Sequence, residues 1–425
     1  MNEAAPIPEA SRFRTAAPGP AARDCDVIVV GAGPGGIASA SMLRRAGLDV
    51  RVLERNGNVG SSWRAHYDCL RLNTTRRFSS LPGNRLEAKY GRWVGRDDYV
   101  AYLERCAAPI DDAFEFGTQV QRIDREGSEW VVTTDRGQLR AAAVVIATGL
   151  QATPYLPPWA DAGLFDGELL HVSGYRNAEP YRGRDVLVVG TGQSAQDIVL
   201  DLVRGGARRV WVSVRTPPLL APRRLAGVCV GVLTYILKHG PLARVIKRRP
   251  RLPFWLADRI SLGLHRTLYP DAEQYLGRPP AGMMAALAER GRGPTLDTGL
   301  LAAVRNGDAT VVAAVERLDG QDAVLADGTR IQPHAVILAT GQRTNLAPMI
   351  GHLGVLGGHD WPVVHGAETA PGAPDLHFIG FRVPAGQLVD MGVDAKAIAR
   401  RLARRGRVQT RRRGRQPEPA LRIAG

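Results

Sequence analysis

The sequence predicts an α/β protein with two dinucleotide-binding (Rossmann-like) domains, the second inserted into a discontinuous first. Three observations predict it. Two glycine-rich turns, GAGPGG (Gly31 to Gly36) and GTGQSA (Gly190 to Ala195), each follow an apolar run and open an amphipathic stretch. Two later apolar runs, Val144 to Gly149 and Val336 to Gly341, both break at Ala-Thr-Gly, where the chain should cross between domains. A last apolar run, Leu376 to Gly380, lies far beyond the second turn, as a strand returning to the first sheet would.

The length of 425 residues allows two or three domains of about 150 residues each. Residues 1–23 are rich in Pro and Ala, lack the apolar core of a signal peptide, and read as a disordered leader. The longest uncharged apolar run, Leu225 to Leu237, is thirteen residues, where a bilayer span needs about twenty. Cys25, Cys69, Cys106 and Cys229 are scattered with no C-x-x-C, so no zinc site or redox dithiol is indicated. A cytoplasmic location fits that cysteine usage.

The net charge of +15 resembles that of a nucleic-acid binder. Yet only four of the 56 basic residues are Lys, which points to genome composition. Nine Arg lie between Arg400 and Arg415, leaving +6 for the rest of the chain. No aromatic residues interleave with them to stack bases, so no nucleic-acid partner is expected, and residues 406–425 read as a disordered basic tail.

Asp26 to Val30 leads into the first turn, a helix follows to about Gly47, and a second strand ends at Glu54. Gly31 permits the tight turn, Gly33 lets a pyrophosphate approach the backbone, and Gly36 lets the helix pack on the strand. Pro34 and Gly35 open the helix, whose N-terminal N–H groups favour phosphate. Glu54, 23 residues past Gly31, is placed to bind ribose hydroxyls, with Arg55 beside it.

The second unit repeats this. Asp185 to Val189 runs into Gly190 and Gly192, Gln193 and Ser194 open a helix, and the next strand ends at Arg215. An acid at that tip repels a 2′-phosphate, whereas a guanidinium binds it bidentately for roughly 1.5–3 kcal/mol. The first site therefore reads as FAD and the second as NADPH. Arg223 and Arg224 are second candidates for the same phosphate, and Asp197 reads as a favourable charge near the helix N-terminus. The boundaries expected are an FAD domain over 24–160 and 325–405 and an NADPH domain over 161–324. A helical insertion at 223–292 alternates apolar and basic stretches, which permits a substrate lid or a peripheral membrane contact.

Between the two units lies FDGELLHVSGYR, with Phe165, Gly167, His171 and Tyr175 in an F-x-G-x-x-x-H-x-x-x-Y pattern. This linker and the ordered pair of turns resemble class B flavin-dependent monooxygenases, in the flavin-containing monooxygenase and YUCCA-type branch. The Baeyer–Villiger branch usually carries Trp followed by Pro or Asp at the end of this motif, where this chain has Tyr175-Arg176. NVGSSWR (Asn58 to Arg64) and LRLNTTRRFSSLPG (Leu70 to Gly83) resemble that branch's segments beside the flavin ring, and the resemblance runs from about Asp26 to Ala399. Gln193, where the branch usually has Asn, and a loosely matching YLGRPP (Tyr275 to Pro280) depart from it.

The resemblance implies that NADPH reduces FAD, that O2 forms a C4a-(hydro)peroxyflavin, and that one oxygen atom enters a small organic substrate. The reactions implied are N- or S-oxygenation or oxidative decarboxylation of a 2-oxo acid. Baeyer–Villiger oxygenation and a non-catalytic flavin-binding regulatory or scaffold role are the alternatives. It implies that Asn73 lies over the flavin edge, that Trp63 and Arg64 flank the ring, and that His171 and Tyr175 sit at the domain junction. Thr148, Gly149, Thr340 and Gly341 would line the cofactors, with Gln387 in a loop brought to the flavin. No metal is called for, and the sequence sets no oligomeric state.

Overall fold

The computed structural model describes residues 23–225, 228–229, 253–290, 293–382 and 387–413. Two parallel-centred sheets organise them. The first has the order Phe114–Phe116, Val50–Glu54, Cys25–Val30, Gly137–Ile146, then the antiparallel strands Glu129–Thr134 and Val120–Glu126. Gly137–Ile146 pairs with Cys25–Val30 along one edge and is long enough to serve two partners along the other. Its first half pairs with the hairpin and its end, Val144 to Ile146, pairs in parallel with Leu376–Phe378.

The second sheet is wholly parallel, in the order Thr310–Val312, Arg209–Ser213, Asp185–Val189, Ala335–Leu338, Glu168–His171. Both faces of each central strand are covered, which is why they read as unbroken apolar runs. Val27 and Val29 face the glycine-turn helix Pro34–Arg45, while Ile28 and Val30 face Trp130 and Phe378. Val186 and Val188 likewise pack on Ile198 and Leu202 of the helix Gln193–Arg204, and Leu187 and Val189 pack on Phe165 and Leu338.

Three expectations are corrected. The boundary at 325 falls too early, because Ala335–Leu338 pairs with Asp185–Val189 and Glu168–His171 in the second sheet. The chain first re-enters the core of the first sheet at Leu346. The basic segment after 405 is not wholly irregular: the helix Gln387–Arg413 runs through its first part, anchored by Ala395, Ile398 and Leu402 against Ile37 and Leu43. Residues 414–425, like the leader 1–22, lie outside the described residues. Arg23, counted with the leader, is ordered by an ion pair to Glu129.

Of the insertion, residues 226–227, 230–252 and 291–292 lie outside the described residues. The described part holds helices Phe254–Leu268, Ala272–Leu276 and Met283–Arg290. Among the described residues no helix is long and apolar enough to cross a membrane. The two connectors between the sheets run side by side: Thr153–Pro154 pairs antiparallel with Gln342–Arg343, just beyond Gly149 and Gly341.

Candidate active site

Each glycine turn is shaped by an Ala-Thr-Gly strand end behind it. Gly31 has φ +103°, and a Cβ there would sit 2.9 Å from the Ala147 carbonyl oxygen. Gly190 has φ +120°, and its Cβ would sit 2.7 Å from the Ala339 carbonyl oxygen. The same clash at equivalent places explains why both turns need glycine there. A Cβ at Gly36 would lie 1.8 Å from the Gly31 carbonyl oxygen, while the second turn has the buried Ala195 at that place. At Gly33 and Gly192, by contrast, nothing lies within 4 Å of a built Cβ. Those are open cradles in front of helix N-termini that no side chain caps, the arrangement that suits a phosphate.

A cavity of about 1380 Å³ runs from the first cradle to the second sheet's helix. At its first end the Glu54 carboxylate accepts from the Ala32 backbone N–H at 2.9 Å and from the Asn56 backbone and side-chain N–H at 3.0 Å. Three of about four lone-pair sites are used, which fixes the carboxylate and leaves an acceptor for a hydroxyl. Gly31, Gly33, Pro34, Gly35 and Arg55 share this end, and Thr148 and Gly149 line its floor. Thr148 Oγ1 is buried there without a partner, an orphaned polar atom facing the space that FAD would fill.

The middle of the cavity is built by the segment from Trp63 to Thr74. Trp63 meets Tyr99 edge-on at 4.6 Å, which locks its ring. The Arg64 guanidinium pairs with Glu104, so its charge is neutralised rather than offered to a ligand. His66 hydrogen-bonds Gln151 at 3.1 Å, and burial lowers its pKa below the usual value. The Asn73 side-chain oxygen accepts from Arg223 Nη2 at 3.0 Å. Arg223 also lies over the Trp93 ring at 4.8 Å, and desolvation lowers its pKa. Arg223 is therefore turned toward the first domain, which corrects its reading as a phosphate ligand.

At the far end Gln193 and Ser194 line the wall, with Gln193 Nε2 donating to the Leu296 carbonyl at 3.2 Å. Asp197 is more than a helix-terminal charge. Its carboxylate accepts from the Tyr67 hydroxyl at 2.9 Å, and burial raises its pKa against the opposing effect of that bond and of Arg223. Gln387 lines the cavity too, its amide donating to the Gly380 carbonyl.

The other predicted residues stand outside the cavity wall. Thr340 bonds the Tyr155 carbonyl, and Gly341, at φ +94°, accepts from His171 Nε2 at 3.0 Å. With His171 Nδ1 accepting from the Ser173 N–H at 3.1 Å, the ring is a neutral tautomer that ties the linker to the second connector. Burial lowers its pKa, in keeping with that neutral form. Phe165 is buried, and a Cβ at Gly167 would collide with its ring at 2.6 Å. Tyr175 is buried on Tyr181 and donates to Asp201 at 2.7 Å. These four residues pack and hydrogen-bond within the fold, and none of them lines the cavity. Arg215 lies exposed two residues past Arg209–Ser213, with no ion pair among the described residues.

Sequence reasoning missed His66, Tyr67 and Arg71 as wall residues. Their signal was the aromatic and basic content of WRAHYDCLRLN, which joins the two matched segments and overlaps both.

A family model described as pyridine nucleotide-disulphide oxidoreductase matches residues 28–224. The disulphide half of that description does not apply, since all four cysteines are free. Indole-3-pyruvate monooxygenase YUCCA1 of Oryza sativa subsp. japonica is 34% identical over 77% of this chain and 79% of its own length. The probable indole-3-pyruvate monooxygenase YUCCA9 of Arabidopsis thaliana is 30% identical over 91% and 90%. The solved flavin-containing monooxygenase of Stenotrophomonas maltophilia superposes with a TM-score of 0.65 at 21% identity, over 90% of this chain and 99% of that one, and so shares the fold. The two cradles, the fixed acid and the orphaned threonine fit FAD and NADPH, and the chain belongs to the class B flavin-dependent monooxygenases of the YUCCA type, an FAD- and NADPH-dependent enzyme family.

Proposed function

We propose that the chain carries out the oxidative decarboxylation of a 2-oxo acid, consuming O2 and NADPH. Written in balance, a 2-oxo acid, O2, NADPH and a proton give the carboxylic acid one carbon shorter, CO2, water and NADP+. Bound FAD supplies the hydride acceptance and oxygen activation. The chain's own groups bind, orient and exclude water. Gly33 and the helix behind it would hold the FAD pyrophosphate, Glu54 a ribose, and Trp63 the ring edge. Gly192, Gln193 and Ser194 would hold NADPH, with Arg215 at its 2′-phosphate. The Asn73 amide donates a proton in a hydrogen bond toward the reacting edge without titrating.

The observation that carries the substrate class is Arg71. It lines the cavity two residues from Asn73, donates to the Trp93 carbonyl at 3.2 Å, and has no carboxylate partner among the described residues. A cation left unpaired on an active-site wall suits an anionic substrate. The relatives named indole-3-pyruvate monooxygenases support the same class. The test is aerobic NADPH turnover with a panel of amine, sulfide, ketone and aromatic 2-oxo acid. The expected result is one CO2 and one shortened acid per NADPH from the 2-oxo acid. Oxygenated amine or sulfide with no CO2 release would overturn the substrate class, and lactone or ester from the ketone would move the chain to Baeyer–Villiger chemistry.

A further inference from the structure

Asn73 and Arg223 are 150 residues apart and belong to different domains, yet they share a hydrogen bond of 3.0 Å. An asparagine amide offers an acceptor on one side and two donors on the other. A guanidinium only donates. Its N–H at Asn73 therefore holds the amide oxygen on the Arg223 side and turns the Nδ2 donors away from it.

Arg223 is itself held. Its guanidinium lies over the face of Trp93 at 4.8 Å, and the Asp197 carboxylate opposes its charge from the second domain's helix. Its Nε is buried with no partner, so the group has given up hydration to reach this place. Asp197 meanwhile takes the Tyr67 hydroxyl, six residues before Asn73, at 2.9 Å. Two residues of the second domain thus grip the segment from Tyr67 to Asn73 at both ends, and Tyr67 is counted in the second domain's own core.

We infer that Arg223 is a positioning residue for the monooxygenase reaction: it reaches across the domain interface and fixes the Asn73 amide so that its N–H group, not its oxygen, faces the reacting edge. This rests on the reading of Asn73 given above. It also makes the amide's orientation depend on the second domain being seated, since Arg223 leaves with that domain.

The experiment uses the full-chain holoenzyme with FAD and two readouts. One is NADPH bleaching of the flavin without air. The other is hydrogen peroxide released per NADPH in air, with phenylpyruvate as the probe 2-oxo acid. Arg223→Met should keep bleaching within about twofold and raise the peroxide fraction about tenfold, the size of one lost charge-assisted bond. Asn73→Ala should do the same, and the double variant should be no worse than Asn73→Ala alone, because both remove one interaction. Arg223→Lys, which keeps charge and a donor, should fall between wild type and Arg223→Met, and it stands in if the Met variant does not fold. A normal peroxide fraction in the Arg223 variants beside a raised one in Asn73→Ala would overturn the positioning role alone. Losses that multiply in the double variant would overturn it too. A normal peroxide fraction in Asn73→Ala would instead remove Asn73 from the reaction, and this inference with it.

Discussion

Arg71 and Arg215 are the two cations to which the proposed function assigns ligand choice, and both are exposed, so water weakens them. Arg71→Ala should raise KM for a 2-oxo acid about tenfold, since the carboxylate contact is made on binding, before that group leaves as CO2. Steady-state kinetics check it, and a fall in kcat with constant KM would place Arg71 elsewhere. Arg215→Ala should raise KM for NADPH about tenfold with little change for NADH. Equal changes for both would mean the 2′-phosphate is held by another group. His377 contributes to the loss of stability in acid, as do His66, His171 and His365, whose pKa values burial also lowers. His377 is fully buried, its Nδ1 bonds the Gly366 carbonyl, its Nε2 has no partner, and burial lowers its pKa to about 4. The unfolded chain binds a proton below about pH 6.5 that the folded chain refuses until about pH 4. The contribution of His377 is thus fully present above pH 6.5 and is lost as pH falls from there toward 4, by about 1.4 kcal/mol per unit. His377→Gln should flatten the melting temperature across that window. An unchanged slope would assign the acid loss to other groups.

At the scale of the element, the glycine turns make two opposite forecasts from one motif. Gly36→Ala places a methyl against the Gly31 carbonyl and should yield protein without bound flavin or none soluble. Gly33→Ala meets only open space, so the fold should survive while FAD affinity falls at least about tenfold, the methyl occupying the phosphate cradle. Flavin content and circular dichroism of the two purified variants separate these outcomes; a Gly33→Ala protein with full flavin would show that the pyrophosphate lies elsewhere. These elements were legible in the sequence because buried parallel strands are continuous apolar runs and because backbone clashes fix glycine at 31, 36 and 190. The run Ala335–Leu338 reads as a strand from the sequence, but its place in the second sheet does not. Its Ala-Thr-Gly ending is the same as that of the first sheet's strand, and the ladder that decides between them is not written in the run itself.

Across the whole molecule, the two domains meet through the segment from Arg64 to Asn73. Arg176 donates to the Arg64 and His66 carbonyls at 2.8 and 2.9 Å, and Asn177 to Asp68 at 2.8 Å. None of this was legible. The contacts join residues more than a hundred positions apart, and polar pairing across an interface leaves no periodicity. Tyr67 looked like one aromatic among many, and Arg223 like a phosphate ligand, because only the docked domains show what each faces. What the docking achieves is one continuous cavity shared by both glycine turns' surroundings, the arrangement that hydride transfer between two cofactors needs.

That arrangement is tested most directly by the visible absorbance of the purified, FAD-loaded chain mixed with NADPH in the absence of air. The expected result is a yellow protein whose flavin band bleaches with one NADPH consumed per chain. A chain that takes up no FAD, or a bound flavin that NADPH leaves oxidised, would contradict it.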